Sequence, residues 1–422
     1  MHRPAPLSRV NTVALVLFLA APGCASWPRA YGAPPCCTPA KLAAPADEVW
    51  WHLFQVTAIA PLTDSGRTLR RAMGFPVASF NLHDDAVTDS AFFTNRDIAA
   101  MSPEAVRWGP TRPDDVAVPP FTVTKLKDEG KTAGFFVKDA RGVAYLFKLD
   151  PVDAPELLSG AEAVSSKLLY ALGYHVPSYE AGAFAMEDFT AAPDAVMKGA
   201  HGRVAPLTPE ALQALLAPRM REGRVRVGQS KILGGEILGP ARFKRFRDCA
   251  EMRALKLACA WINHIDTKDH NTLLVWDGQR TVGYLIDFGT TLGADAGRAG
   301  PQRPCAGWTY IVDLKELSLE TVTLGLHEPP CPVQPTFDAS VGRFTSQVDP
   351  RKWKPYAPNL AFKAMTEEDA EWITARLARL SRAQIEAAVS AAQYSRPNDA
   401  AYLVETLLAR RDAVVAPYVE DK

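Results

Sequence analysis

Residues 260–293, AWINHIDTKDHNTLLVWDGQRTVGYLIDFGTTLG, read as a helix end, a polar loop, a β-hairpin and an acidic residue at a strand exit. Asp266 and Asn271 stand five positions apart in the loop. Two apolar runs, 273–276 and 282–286, are joined by Asp277-Gly278-Gln279-Arg280 and lead to Asp287-Phe288-Gly289. Asn271 and Asp287 flank the hairpin, so its closure sets their side chains next to each other. The segment that delivers the chain here, 247–263, is helical in pattern, with Met252, Leu255, Cys259 and Ile262 on one face.

Working outward, 133–139 (AGFFVKD) and 143–149 (VAYLFKL) are strand-like runs with hairpin chemistry between them, Asp139-Ala140-Arg141-Gly142. Val143, Tyr145, Phe147 and Leu149 share one face and Leu146 and Lys148 the other. A lysine inside such a strand belongs either to an exposed edge or to a site. Pro155 opens a helix that runs through Leu172, with Gly173 just past its end. Its apolar stripe holds Leu158, Ala161, Val164, Leu168 and Leu172, and Glu162 lies beside that stripe. Residues 176–186 read as extended and 208–219 as helical. The basic stretch holding Arg219, Arg221, Arg224, Arg226 and Lys231 reads as a solvated loop. Residues 294–360 are irregular. Three helices follow, 366–380, 381–393 and 398–415, capped by Thr366, Ser381 and Asn398.

Phosphoryl transfer from Mg-ATP needs a lysine on the phosphates, an acid that holds the lysine, oxygen ligands for Mg²⁺, and a carboxylate that orients the attacking hydroxyl and takes its proton. The chain offers Lys148, Glu162, Asp266, Asn271 and Asp287, in that order. Asp-x4-Asn alone turns up about once in several hundred residues, and Asp-Phe-Gly roughly once in several thousand. Their spacing, with a hairpin between and a lysine and glutamate upstream, makes coincidence a poor explanation.

The set resembles the protein-kinase-like superfamily, on His264-Ile265-Asp266 through Asn271 and on Asp287-Phe288-Gly289. The wording is closer to atypical branches. Leu285-Ile286-Asp287-Phe288-Gly289 resembles phosphatidylinositol 3-/4-kinase-type cores, and Ala171-Leu172-Gly173-Tyr174-His175-Val176-Pro177 resembles HipA-type kinases. The resemblance covers about residues 120–293. It implies an α+β bilobal fold, with a small β-rich first lobe carrying one helix and a mostly helical second lobe. It implies Lys148 on the phosphates with Glu162 as its partner, Asp266 as catalytic base, and Asn271 and Asp287 as Mg²⁺ ligands. Gly130, Lys131, Thr132 and Gly134 then lie where a phosphate-covering loop belongs. A Walker loop is excluded there, because Lys125 replaces the first glycine and a strand follows. Ile265 stands where regulated protein kinases carry arginine, and no Ala-Pro-Glu follows Asp-Phe-Gly.

Other chemistries fit less well. There is no CxxC, HExxH or Gly-x-Ser-x-Gly, which disfavours zinc sites and α/β-hydrolase chemistry. His264 reads as a core brace, and Trp308, Tyr310 and Trp353 as core or lid residues. Lys+Arg and Asp+Glu are both 47 in 422 residues, so no charge excess points to nucleic acid. Residues 1–23 resemble an export or lipoprotein signal, with Arg3, Arg9, an apolar core and Ala21-Pro22-Gly23-Cys24. A lipid on Cys24 would tie the chain to a membrane in the bacterial cell envelope. Residues 24–48 are an Ala/Pro-rich tether, 49–115 an N-terminal cap, 116–187 the first lobe and 188–422 the second. Cys305 and Cys331 are the expected disulfide pair and Cys259 a buried thiol. The functional expectation is an ATP- and Mg²⁺-dependent phosphotransferase acting on a hydroxyl of a protein, lipid or small molecule. Its rivals are an inactive kinase-like scaffold and a nucleotidyl (AMP) transferase.

Overall fold

The computed structural model describes residues 41–42, 49–75, 79, 81–83, 86–128, 130–198, 203–328, 331–332 and 334–419. The signal, Cys24 and most of the tether lie outside these residues. No helix among the described residues is long and apolar enough to cross a membrane.

Strands β1 (Phe121–Leu126), β2 (Gly134–Lys138) and β3 (Ala144–Leu149) form an antiparallel meander. The main path of the sheet adds β4 (Glu180–Ala185), β5 (Phe189–Lys198), β6 (Val204–Pro206) and β7 (Arg224–Lys231), in the order β4-β7-β3-β2-β1-β5-β6, and the short strand Met220–Arg221 pairs with β7 off that path. It therefore runs well past residue 187, where the sequence placed the lobe boundary. The basic stretch is also not a loop throughout. Strand β7 pairs with β3 on one side and β4 on the other, and it buries Val225 and Val227. The arginines alternate with these valines, so a period of two was hidden under the charge. Arg226 faces away from that core and donates to Ser159 Oγ at 2.8 Å and Gln393 O at 2.9 Å.

One face of the sheet packs a core of Phe121, Phe135, Tyr145, Phe147 and Phe189 with helix α2 (Pro209–Leu216). On the other lies helix α1 (Leu157–Leu172), whose Glu162 meets Lys148 of β3. This helix starts at Leu157 rather than Pro155. The Asp150 carboxylate, at the end of β3, accepts Leu158 N and Ser159 N at 2.8 and 2.9 Å and so fixes the first turn. Gly173 ends it in the left-handed region at φ 116°, as its position predicts.

The second lobe is mostly helical. Helix α3 (Ala250–Ile262) leads to the hairpin β9 (Thr272–Trp276) and β10 (Thr281–Leu285), with β8 (Glu236–Gly239) paired to β9. Helices α4 (Glu367–Ala378) and α6 (Pro397–Val419) pack on α3, and α5 (Arg382–Ser390) packs against α6 and α1. Thr366 and Ser381 cap α4 and α5 as expected. Asn398 does not cap α6, because Pro397, free of an N–H to satisfy, already occupies its first position. Helix α1 shares the hydrophobic core of this lobe. Residues of the N-terminal segment pack here too: the Phe92 ring meets Phe246 edge-on at 5.0 Å. Cys305 and Cys331 form a disulfide, Cys249 is also disulfide-bonded, and Cys259 is a buried free thiol. The fold is thus α+β in two lobes, sheet-rich then helical, the arrangement the resemblance implies.

Candidate active site

Lys148 sits where the lobes meet. Its ammonium is ion-paired to Glu162 of α1 and, at 2.8 Å, to Asp287 just beyond β10. The sheet leaves space for this. The residues registered opposite Lys148 are Gly134 on β2 and Gly228 on β7, so no neighbouring side chain covers its face. A Cβ on Gly134 would come within 2.3 Å of Phe147 O, so that position requires glycine. Burial works against the Lys148 charge, but the Asp287 and Glu162 carboxylates outweigh it and hold its pKa well above the usual lysine value. Glu162 is pushed up by burial against the pull of Lys148, and its Oε2 is buried with no hydrogen-bond partner.

Asp287 is the exposed member, with a side chain 41% accessible. The charge of Lys148 brings its carboxyl down to about 2, so it is ionised at any working pH. Its backbone lies in the left-handed region at φ 63°, costly for a residue other than glycine. Its N–H donates to the Tyr179 hydroxyl at 3.4 Å, and Tyr179 also places its ring 5.8 Å below the Lys148 ammonium.

The polar loop is held from below. His264 N donates to Cys259 O at 2.8 Å, and the buried His264 ring meets Phe288 edge-on at 5.7 Å. Burial lowers His264 to about 4, so the ring is neutral and braces the loop, as its sequence reading has it. Asn271 Nδ2 donates to Asp266 O at 2.6 Å, and Ile286 N donates to Asn271 O at 3.0 Å. The first bond ties the two ends of the Asp-x4-Asn loop together, and the second ties the loop to the residue before Asp287. The structure therefore brings Lys148, Glu162 and Asp287 into one ion cluster and ties Asp266 and Asn271 to the strand beside it.

The residues 127–133 connect β1 to β2, next to the Lys148 register position. Gly130 adopts φ 73°, Lys131 is exposed, Thr132 O accepts Lys127 Nζ at 3.2 Å, and Gly134 belongs to β2 rather than to the loop. The charge of Lys127 helps to lower Asp287, so the base of this turn lies near the cluster.

Two contributors escaped the sequence reading. Lys268 pairs with Asp266 Oδ2 at 2.5 Å. Its position two residues after Asp266 was the available signal. Gly228 was hidden inside the stretch read as a loop. The donor set fits a hard divalent cation: an ionised carboxylate and an amide oxygen, Asp287 and Asn271, arrive from the two ends of one hairpin. Among the described residues no group of three or more His, Cys, Asp or Glu could hold a metal alone. A cation here would therefore complete its shell with water and phosphate oxygens. A cavity of about 150 Å³ under the loop, lined by His52, Thr267 and Asp269, does not include the five site residues.

No family model matches the sequence, and no curated protein does. Solved structures similar to this chain include a Helicobacter pylori proinflammatory kinase, CtkA, at 11% identity and a TM-score of 0.36, with 73% of this chain and 100% of that one covered. A Golgi casein kinase is similar at 9% identity and a TM-score of 0.27, covering 90% and 96%. The Golgi casein kinase with Mn/ADP bound gives 9% and 0.28, covering 92% and 97%.

Proposed function

We propose that this chain is an ATP- and Mg²⁺-dependent phosphotransferase of the atypical kinase type, acting on a hydroxyl group. The observation that carries the reading is the cluster at the lobe junction, in which one buried lysine is held between a helix carboxylate and an ionised, half-exposed Asp287. When bound, Mg-ATP supplies the transferable phosphoryl group and the cation that balances its charge. Lys148, fixed by Glu162, positions the phosphates; Asp287 and Asn271 hold the cation. The second oxygen of Asp266 orients the attacking hydroxyl and accepts its proton, while the ion pair with Lys268 keeps that carboxylate aimed. The turn holding Gly130, Lys131 and Thr132 covers the phosphates in this reading. Ile265 and the missing Ala-Pro-Glu are what support a reading nearer the HipA-type and phosphatidylinositol-kinase-type branches than regulated protein kinases.

The Cys305–Cys331 disulfide favours a second reading, because disulfides persist in oxidising compartments where ATP is scarce. It is consistent with an envelope location for the chain and with a site that binds nucleotide as a scaffold without turnover; a lipid anchor on Cys24 rests on the sequence pattern alone. Purified protein titrated with ATP and Mg²⁺, followed by a labelled-phosphate assay, separates the readings. The phosphotransferase reading expects saturable Mg-ATP binding and transfer, with Asp266→Ala abolishing transfer but keeping binding. No binding of Mg-ATP overturns both readings, and binding without transfer leaves the scaffold. The product mass distinguishes a gain of phosphate from a gain of AMP.

A further inference from the structure

Away from the ion cluster, a cavity of about 290 Å³ is walled by Trp308, Tyr310 and Trp353. Its rim carries an excess of lysine and arginine over a single acid, Glu316. Part of that positive charge is already answered. Lys354 reaches Asp313 at 2.7 Å and Glu316 at 3.7 Å, and Lys352 reaches Asp349 at 2.9 Å. Lys256, Lys315 and Lys363 differ. Among the described residues no carboxylate lies within ion-pair distance of any of them, and Lys256 makes only a 3.5 Å bond to Arg351 O.

Their surroundings add to this imbalance. Burial lowers both Lys256 and Lys363, and the nearby Arg71 lowers Lys256 further. Arg71 is itself turned onto backbone oxygen, donating to Lys363 O at 2.8 Å. The carboxylates of Asp349 and Glu367 near Lys256, and of Asp64 near Lys363, offset this only in part, and an anion seated against the lysines answers the rest. The trio arrives from separate parts of the chain, so it is not one solvated run of charge: Lys256 is on α3, Lys315 on the helix Leu314–Val322 and Lys363 in the turn Phe362–Ala364.

The wall is also continuous with the catalytic loop. Trp353 Nε1 donates to Asn263 Oδ1 at 2.8 Å, Tyr356 N donates to Ile265 O at 2.6 Å, and Asn359 Nδ2 donates to Thr267 O at 3.0 Å. Residues 353–359 thus form both the back of the cavity and the support of the loop that carries Asp266.

We propose that this cavity is a binding site for a phosphorylated small molecule, with the phosphate among Lys256, Lys315 and Lys363 and the group that bears it against Trp308 and Tyr310. Three ammonium groups without an ion-pair partner among the described residues match a dianionic phosphate, and the aromatic wall offers apolar faces to a ring. The cavity's size suits a sugar phosphate and not a folded partner. The site stands independently of whether the Lys148 cluster turns over.

The test is calorimetric titration of the full chain, without ATP or Mg²⁺, using pyrophosphate, glucose 6-phosphate and glucose, with tryptophan fluorescence followed in parallel. The expected result is saturable binding of the two phosphorylated probes, weakened by salt, and none of glucose. Lys256→Ala combined with Lys363→Ala weakens that binding about tenfold or more, because charged hydrogen bonds are lost. Lys148→Met leaves it unchanged. Lys315→Glu with Lys363→Glu, both at exposed positions, repeats the loss without touching the core. Absence of binding at millimolar probe overturns the proposal. So does equal binding of glucose, unchanged binding in both double variants, or loss of binding in Lys148→Met.

Discussion

Two buried lysines meet helix α1, and they are answered in opposite ways. Lys167, on the helix itself, spends its three N–H donors on Glu180, on Trp108 O at 2.9 Å and on Thr111 Oγ1 at 2.8 Å. Glu180 is shared with Arg107 at 3.0 Å, so positive charge is in slight excess and every donor is satisfied. Burial outweighs Glu180 and brings Lys167 down to about 8, still protonated at neutral pH. Lys148 meets two carboxylates instead of one. Negative charge is in excess there, Glu162 Oε2 lacks a partner, and Asp287 remains open to solvent. The first arrangement is closed and holds structure together. The second is unfinished, and under the proposed function a bound cation and phosphate would complete it.

The sharpest challenge to this contrast is Lys167→Met. It strips the donor from Trp108 O and leaves the buried Glu180 with Arg107 alone, lowering stability by about 3–5 kcal/mol, read by denaturant unfolding. Activity per folded molecule is unchanged. His264 extends the comparison to a buried base that stays neutral. Its folded pKa of about 4 lies below the unfolded value near 6.5, so the unfolded chain binds more protons between those values. Stability is therefore full above about pH 6.5 and falls by roughly 3 kcal/mol as pH drops towards 4. His264→Gln flattens the unfolding free energy measured across that window. Asp287, held near 2 by Lys148, adds its own loss only as pH falls from about 4 towards 2.

Lys148→Met reduces phosphoryl transfer about 100-fold or more while costing less stability than Lys167→Met, since the Asp287 carboxylate can turn to water and Glu162, already pushed up by burial, can take up a proton. Equal destabilisation by the two substitutions would erase the distinction. The smallest effect is expected of Lys268→Ala. The rate falls roughly tenfold through loss of one charged contact to Asp266, with nucleotide affinity unchanged by calorimetry. A change in affinity alone would reassign Lys268 to the nucleotide.

Much of the site was legible because it is local. The Asp266–Asn271 interval, the hairpin and Asp287 fall within one short stretch, and strand periodicity placed Lys148 opposite its apolar face. Gly173 and the caps Thr366 and Ser381 were legible for the same reason, since backbone chemistry at chain ends acts over a few residues. The extent of the sheet was not. Strand β7 lies between β3 and β4, partners far away in sequence, and alternating Arg and Val conveys nothing about which strands will flank it.

Helix α1 marks the division most clearly. Its sequence shows an apolar stripe and a glutamate beside it, the pattern of a helix with one wet face. In the folded chain every residue of the helix except Tyr170 is buried, because the sheet covers one side and the second lobe the other. The order of Lys148, Glu162, Asp266, Asn271 and Asp287, and the chemistry they share, were determined by the sequence alone. That Glu162 is locked onto Lys148, with Gly134 and Gly228 clearing the face above it, was decided only by tertiary structure. Ion pairing and burial depend on groups that meet through space, and no period along the chain encodes them.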